Sequence, residues 1–274
     1  MPASAKNPIQ LPGLEGKLVV ITGANGGQGS AEALLMLASG ATVIATDVQP
    51  EVALHLADGA KDLRGKLHYL KLDVASEDEW AAVAEFTKTI GPVWGLVNNA
   101  GIPFRARLGE VQLEDWNRVI GINLTGPMLG MQALVPLMTN GGSIVNIGSA
   151  AAVTGHHTVA YTASKWGLRG MSHVAATEYG PKGIRVNLVN PGYIETPMMA
   201  AAPAIMTKVQ LELTPLERTG QPEDVAAAVA FLISEISGYI SGAEVPVDGA
   251  FTSSAGVKYM SDTIRNFMQQ QNNK

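Results

Sequence analysis

The chain contains no cysteine. Disulfide frameworks and thiolate-held metals are excluded with it. Its five histidines show no ligand spacing with carboxylates, so no metal site is expected. There is no surplus of positive charge either. The formal net charge is −5 over 274 residues, which argues against a nucleic-acid-binding surface. The first fourteen residues lack a long apolar run and hold three prolines and one lysine. They are expected to form a flexible lead-in, residues 1–14, rather than a signal peptide or a membrane span, with a cytoplasmic protein as the default. No internal repeat, low-complexity stretch or linker interrupts the chain beyond residue 14. One domain over residues 15–252 is expected, with a tail at 253–274.

Apolar residues are abundant, at 46% of the chain, so a large core can form. Short β-rich runs at 17–21, 41–46, 67–72, 93–97, 143–147, 184–189 and 243–247 read as strands. Helical stretches alternate with them, at 31–39, 52–63, 80–89, 113–122, 127–138, 159–179 and 221–234. Ser76 to Glu79 reads as a capping box before the third of these, and Asn123 interrupts the helical run between 113 and 138. The alternation predicts an α/β fold: a single-domain, doubly wound parallel sheet of about seven strands with helices on both faces.

Several motifs fall at strand ends, where open α/β sheets bind ligands. After the first strand comes Thr22-Gly23-Ala24-Asn25-Gly26-Gly27-Gln28-Gly29. A glycine-rich turn between strand and helix lets a pyrophosphate approach the backbone and the helix N-terminus, although such a turn alone is as often structural. The second strand ends at Asp47, and no arginine or lysine lies between Thr22 and Thr46. A carboxylate there can bond the adenosine ribose hydroxyls and repels a 2′-phosphate. Asn98-Asn99-Ala100-Gly101 follows the fourth strand and Ser149 the fifth. Tyr161 and Lys165 lie four residues apart in the 159–179 stretch, hence on one helix face. A phenol has an ordinary pKa near ~10, and a neighbouring ammonium favours the phenolate. Tyr161 is therefore expected to be acidified by Lys165.

Taken together, Thr22-Gly23-x-x-x-Gly27-x-Gly29, Asn98-Asn99-Ala100-Gly101, Asn123, Ser149, Tyr161-x-x-x-Lys165 and Pro191-Gly192 resemble the short-chain dehydrogenase/reductase family in order and spacing. The resemblance covers roughly residues 17–251. It implies a Rossmann-like sheet that binds a nicotinamide dinucleotide, and hydride transfer to or from an alcohol or carbonyl carbon. Tyr161 would be the acid–base residue, Lys165 its pKa-lowering partner on the nicotinamide ribose, Ser149 the group that polarises the substrate oxygen, and Asn123 the holder of a water linked to Lys165. The nucleotide would rest on Gly23, Asn25, Gln28 and Gly29. Asp47 and Val48 would meet the ribose, Asp73 and Val74 the adenine, and Asn99, Ala100 and Gly101 the middle. Pro191, Gly192, Ile194 and Thr196 would lie toward the carboxamide. Two positions depart from the family pattern: Gln28 replaces an aliphatic residue, and Gly148 a serine.

Asp47 without a basic neighbour favours NAD over NADP. The chain looks most like NAD-dependent secondary-alcohol and hydroxysteroid dehydrogenases, with an NADPH-dependent 3-oxoacyl thioester reductase as one alternative and a non-catalytic dinucleotide-binding module as another. The substrate side is expected to comprise Ser149, Ala151, Val153, His157, Tyr161, Tyr193, Met198, Met199 and Met206, with an apolar lid at about 196–215. A bulky hydrophobic alcohol or ketone, aromatic or steroid-like, fits such a wall. Relatives commonly form tetramers or dimers, and a homotetramer is expected. In the tail, Tyr259, Met260, Ile264, Phe267 and Met268 recur at helical spacing, which suggests an apolar face that packs on a neighbouring subunit.

Overall fold

The computed structural model describes residues 10–200 and 204–272. The elements run β1 (Leu18–Thr22), α1 (Gly27–Ala38), β2 (Thr42–Asp47), α2 (Leu54–Ala60), β3 (Lys66–Lys71) and α3 (Glu77–Lys88). Next come β4 (Gly95–Asn98), α4 (Leu113–Ile120), α5 (Gly126–Leu134), β5 (Gly142–Ile147), α6 (Val159–Tyr179) and β6 (Ile184–Pro191). The last are α7 (Pro197–Ala200), α8 (Ala204–Leu213), α9 (Pro222–Ile233), β7 (Glu244–Val247), α10 (Phe251–Ser254) and α11 (Val257–Asn272).

The strands form one sheet in the order β3-β2-β1-β4-β5-β6-β7, and every pairing is parallel. Successive residues of a strand point to opposite faces, so β1 feeds two cores. Val19 and Ile21 pack with Met36 and Leu37 of α1 and with Val225 and Val229 of α9. Leu18 and Val20 pack with Trp80 and Val83 of α3, Leu134 of α5 and Ala175 of α6. Helices thus cover both faces, as the alternation predicts. The chain reverses its winding between β1 and β4, and ligand crevices of open α/β sheets form at that switch point.

Local chemistry sets several boundaries. Ser76 caps α3 by accepting the Glu79 N–H. The expected return half of that capping box is absent. The Glu79 carboxylate instead accepts the Asp73 N–H at 2.6 Å and pairs with Lys71. Pro222 starts α9, where Asp224 reaches back to the Gln221 N–H at 2.8 Å. The run from α4 to α5 is continuous: a π-helical turn at Gly121–Thr125 bridges them, where the sequence suggested a break at Asn123. By length and apolar character Leu113–Leu137 could cross a membrane, but half of its most apolar window is buried in this fold.

Two expected boundaries move. The predicted loose lead-in is anchored from Leu11, whose N–H donates to Ser39 Oγ at 2.9 Å, and Leu14 is fully buried in the core. Residues 1–9 lie outside the described residues. The expected apolar lid at 196–215 contains two helices, α7 and α8, with 201–203 outside the described residues.

Candidate active site

Tyr161 and Lys165 stand one turn apart near the start of α6. That helix spans the range its sequence predicted, because no glycine or proline pair interrupts Val159–Tyr179 until Gly180-Pro181. Tyr161 is half-buried, and it lines the cleft together with Ser149, whose side chain acts on its phenol. Ser149 sits just past β5. Its N–H donates to Asn190 Oδ1 at 3.1 Å, and its Oγ accepts the Ala151 N–H at 3.1 Å. This contact explains one departure from the family pattern. A Cβ on residue 148 would fall 2.1 Å from Asn190 Oδ1, so a serine could not replace Gly148 without moving Asn190 off Ser149.

Lys165 is buried, and its Nζ donates to the Ile147 carbonyl at 2.7 Å. Burial lowers its pKa to about 8. The expected acidification of Tyr161 by Lys165 is not what the geometry gives. Burial pushes the Tyr161 phenol up, opposed only by the side chain of Ser149. The ammonium lies 5.7 Å from the ring centroid and is turned to the Ile147 carbonyl. Desolvation of the phenolate therefore outweighs a charge that is itself poorly solvated.

Asn123 sits in the π-turn, fully buried. Such turns are frequent at functional sites. Its Oδ1 accepts the Ile102 N–H at 2.8 Å, and its Nδ2 donates to the Ile102 carbonyl and to Ser164 Oγ. It fixes the 101–102 backbone against Lys165: a Cβ on Gly101 would lie 3.3 Å from Asn123 Oδ1 and 3.5 Å from Lys165 Nζ.

A cleft of about 340 Å³ runs along the carboxyl ends of β1, β2, β4 and β5. Its wall brings together Gly23, Asn25, Gln28, Gly29, Asp47, Asn99, Ala100, Gly101, Pro191, Gly192, Ile194 and Thr196 with Ser149, Tyr161 and Lys165. Sequence reasoning did not assign Gly26, Gly27, Ile102, Ile147, Gly148 or Pro197 to this wall. Ile147 and Ile102 flank residues already singled out, so strand-end position alone could have found them. Thr22 ties the turn to β4: its Oγ1 accepts the Asn99 and Ala100 N–H groups at 3.1 and 3.0 Å. The Asn99 amide donates to the Thr22 and Gly23 carbonyls. Gly29 serves this packing, since a Cβ there would lie 2.4 Å from the Gly23 oxygen.

The cleft fits a nicotinamide dinucleotide. Helix α1 enters it with Gly26 at the N-cap, no side-chain cap and no acidic residue in its first turn. Its leading amides are therefore open to a pyrophosphate. Asp47 faces the cleft while its Oδ2 accepts the Asn25 N–H at 3.1 Å. The Asn25 side chain turns away, to the Glu51 carbonyl and the Tyr69 hydroxyl, while its N–H is held by Asp47. Val48, Asp73 and Val74 were expected at the nucleotide and are not on this wall. Val48 is exposed, Val74 packs in the core, and the Asp73 N–H is held by Glu79.

A second pocket, about 160 Å³, adjoins the first, and Ser149, Tyr161, Gly192 and Met199 line both. Ala151, Tyr193 and Met206 line it as expected. Tyr193 bonds Thr207 Oγ1 at 2.9 Å, which ties the loop after β6 to α8. Val153 and His157 are not on this wall. His156 takes the place expected of His157, which is exposed and stacked on it at 4.5 Å. Met198 belongs to α7, and its side chain lies outside the described residues. Gln210 comes from the segment expected as the lid, while no motif or spacing pointed to Phe104, Arg105 or Phe251, which arrive from segments far apart in the chain. Among the described residues no cluster suited to a metal occurs.

The family model described as Enoyl-(Acyl carrier protein) reductase matches residues 23–252. The chain is 40% identical to the cyclohexanol dehydrogenase of Acinetobacter sp. (strain SE19), over 86% of this chain and 95% of that protein. It is 41% identical to the 3-oxoacyl-(acyl-carrier-protein) reductase FabG of Thermotoga maritima, over 86% and 98%. It is 38% identical to the 3-alpha-(or 20-beta)-hydroxysteroid dehydrogenase of Mycobacterium tuberculosis (strain ATCC 25618 / H37Rv), over 86% and 89%. Among solved structures, levodione reductase superposes with a TM-score of 0.82 at 30% identity, over 87% of this chain and 98% of that one.

Proposed function

The chain belongs to the short-chain dehydrogenase/reductase family and is an oxidoreductase of that type; from this we propose that it moves a hydride between NAD(H) and a hydrophobic cyclic secondary alcohol or ketone. One observation carries the reading. Ser149 and Tyr161 line both cavities, so the pair stands where a dinucleotide cleft meets an apolar pocket.

A nicotinamide dinucleotide bound in the cleft supplies the hydride acceptor or donor. In oxidation Tyr161 takes the proton of the substrate hydroxyl, and in reduction it returns one to the carbonyl oxygen. Ser149 holds that oxygen at the Tyr161 hydroxyl. Lys165 places a cation beside the cleft wall, and Asn123 fixes the backbone that flanks it. Ala151, Met199 and Met206 exclude water from the reacting carbon. An apolar cavity of ~150 Å³ can hold benzene. The second pocket is of that size, which supports one ring at the reacting end, with any larger body extending through the mouth.

Asp47 supports NAD. It is the sole acid on the cleft wall, and Lys165, at the Ser149–Tyr161 junction, is the sole lysine or arginine there among the described residues. The likeness to FabG keeps an NADPH-dependent thioester reductase as the second reading. Comparing kcat/KM for NAD and NADP with cyclohexanol decides between them. The expected outcome is at least ~10-fold preference for NAD, narrowed in Asp47→Ala, the scale of one repelled charge. Strong preference for NADP in the unmutated protein would contradict it.

A further inference from the structure

The loop between β4 and α4 brings Arg105 to the wall of the apolar pocket. That wall carries no aspartate or glutamate among the described residues. Arg105 has no hydrogen bond or ion pair within the described chain, although it is exposed. Six of the other seven arginines are engaged. Arg64, Arg118, Arg169, Arg218 and Arg265 pair with carboxylates, and Arg185 is bonded to main-chain carbonyls. Arg107 shares the same loop and has no side-chain partner, but it does not reach the pocket. His156, the other basic side chain on the wall, is occupied with Thr158 Oγ1 at 2.8 Å.

We propose that Arg105 is an anion subsite of the substrate pocket, so that the preferred substrate is a ring alcohol or ketone carrying a carboxylate remote from the reacting carbon. This rests on the oxidoreductase reading above and narrows its substrate class. An arginine fork matches a carboxylate bidentately and keeps its charge at any working pH. Phe104, Ala150 and Met206 hold the apolar body, Ser149 and Tyr161 hold the reacting oxygen, and the open position of Arg105 places the anion at the solvent side. The two ends of the substrate are thereby distinguished, which fixes its orientation in the pocket.

The test compares 4-hydroxycyclohexanecarboxylate, as cis and trans isomers, with its methyl esters, each offered with NAD and with NADP. The better acid isomer should exceed its ester about 10-fold in kcat/KM, the scale of one charge-assisted pair. Arg105→Ala should bring that ratio to about 1, and Arg105→Lys should restore part of it. An acid-to-ester ratio near 1 in the unmutated protein, or the same ratio in Arg105→Ala, would overturn the proposal. Binding of cyclohexanecarboxylate, which has no hydroxyl to oxidise, separates this from the reaction itself. Calorimetry with NADH present should show a Kd about 10-fold weaker in Arg105→Ala, and equal Kd values would overturn the subsite. Failure of every alcohol to be oxidised would instead refute the oxidoreductase reading, with the binding result still deciding the role of Arg105.

Discussion

At the scale of single residues, the decisive feature is that enclosure, not charge, governs the phenol. The Tyr161–Lys165 spacing was legible because a helix repeats every 3.6 residues. The direction of the pKa was not, because it depends on Ile147, which takes the Lys165 Nζ from 18 positions away, and on Ser149. Gly148 was visible as a departure, but its cause, the Asn190 side chain, lies 41 positions on from Ser149. With the phenol pushed up, only a small fraction is phenolate near neutral pH, and alcohol oxidation needs that form. The rate of oxidation should therefore climb with pH, about 10-fold per unit from pH 6 toward 8. A pH profile of kcat/KM for cyclohexanol with NAD checks this, and a flat profile across that range would contradict it.

At the scale of elements, α1 contains a group that the proposed chemistry does not use. Glu32 is fully buried, and neither carboxylate oxygen has a hydrogen-bond partner among the described residues. Burial raises its pKa from 4.5 to about 8. Below pH 4.5 Glu32 is protonated in both the folded and unfolded chain, so no penalty arises. Between 4.5 and about 8 the unfolded chain gives up the proton first, and stability is lost as pH rises. Unfolding free energy from denaturant titration should fall by on the order of a few kcal/mol between pH 5 and pH 8. Much of that slope should vanish in Glu32→Gln; an identical slope in the variant would show that Glu32 does not titrate this way. Nothing in the sequence marked this residue, since Ala31–Ser39 reads as an ordinary helix segment. Strand positions were legible to within a residue or two from their β-rich runs. Helices α7 and α8 were not, because their alanines and methionines carry no clear period. The π-turn was visible only as a break, since local pattern cannot show that the helix resumes on the same axis.

At the scale of the whole molecule, the parallel sheet was readable from alternation alone, and the crevice from what stands at its strand ends. What pattern could not supply was the meeting of Arg105, Gln210 and Phe251 at one pocket, a product of tertiary folding. The tail forms the expected helix, α11. Tyr259, Met260, Ile264, Phe267 and Met268 are each 53–59% exposed along it. Side chains of that size gathered on one helix are a typical mark of an interaction surface. Removing residues after Thr252 should reduce the assembled mass measured by light scattering and raise the substrate KM; unchanged values of both would show that the helix has no partner subunit. The proposed chemistry as a whole stands on Tyr161 as the proton-transferring group between the two cavities. The most direct test is Tyr161→Phe, assayed for cyclohexanol oxidation with NAD and, separately, for NADH binding by fluorescence. The expected result is loss of turnover by at least ~10²-fold with NADH affinity nearly unchanged. Turnover close to that of the unmutated protein would contradict it.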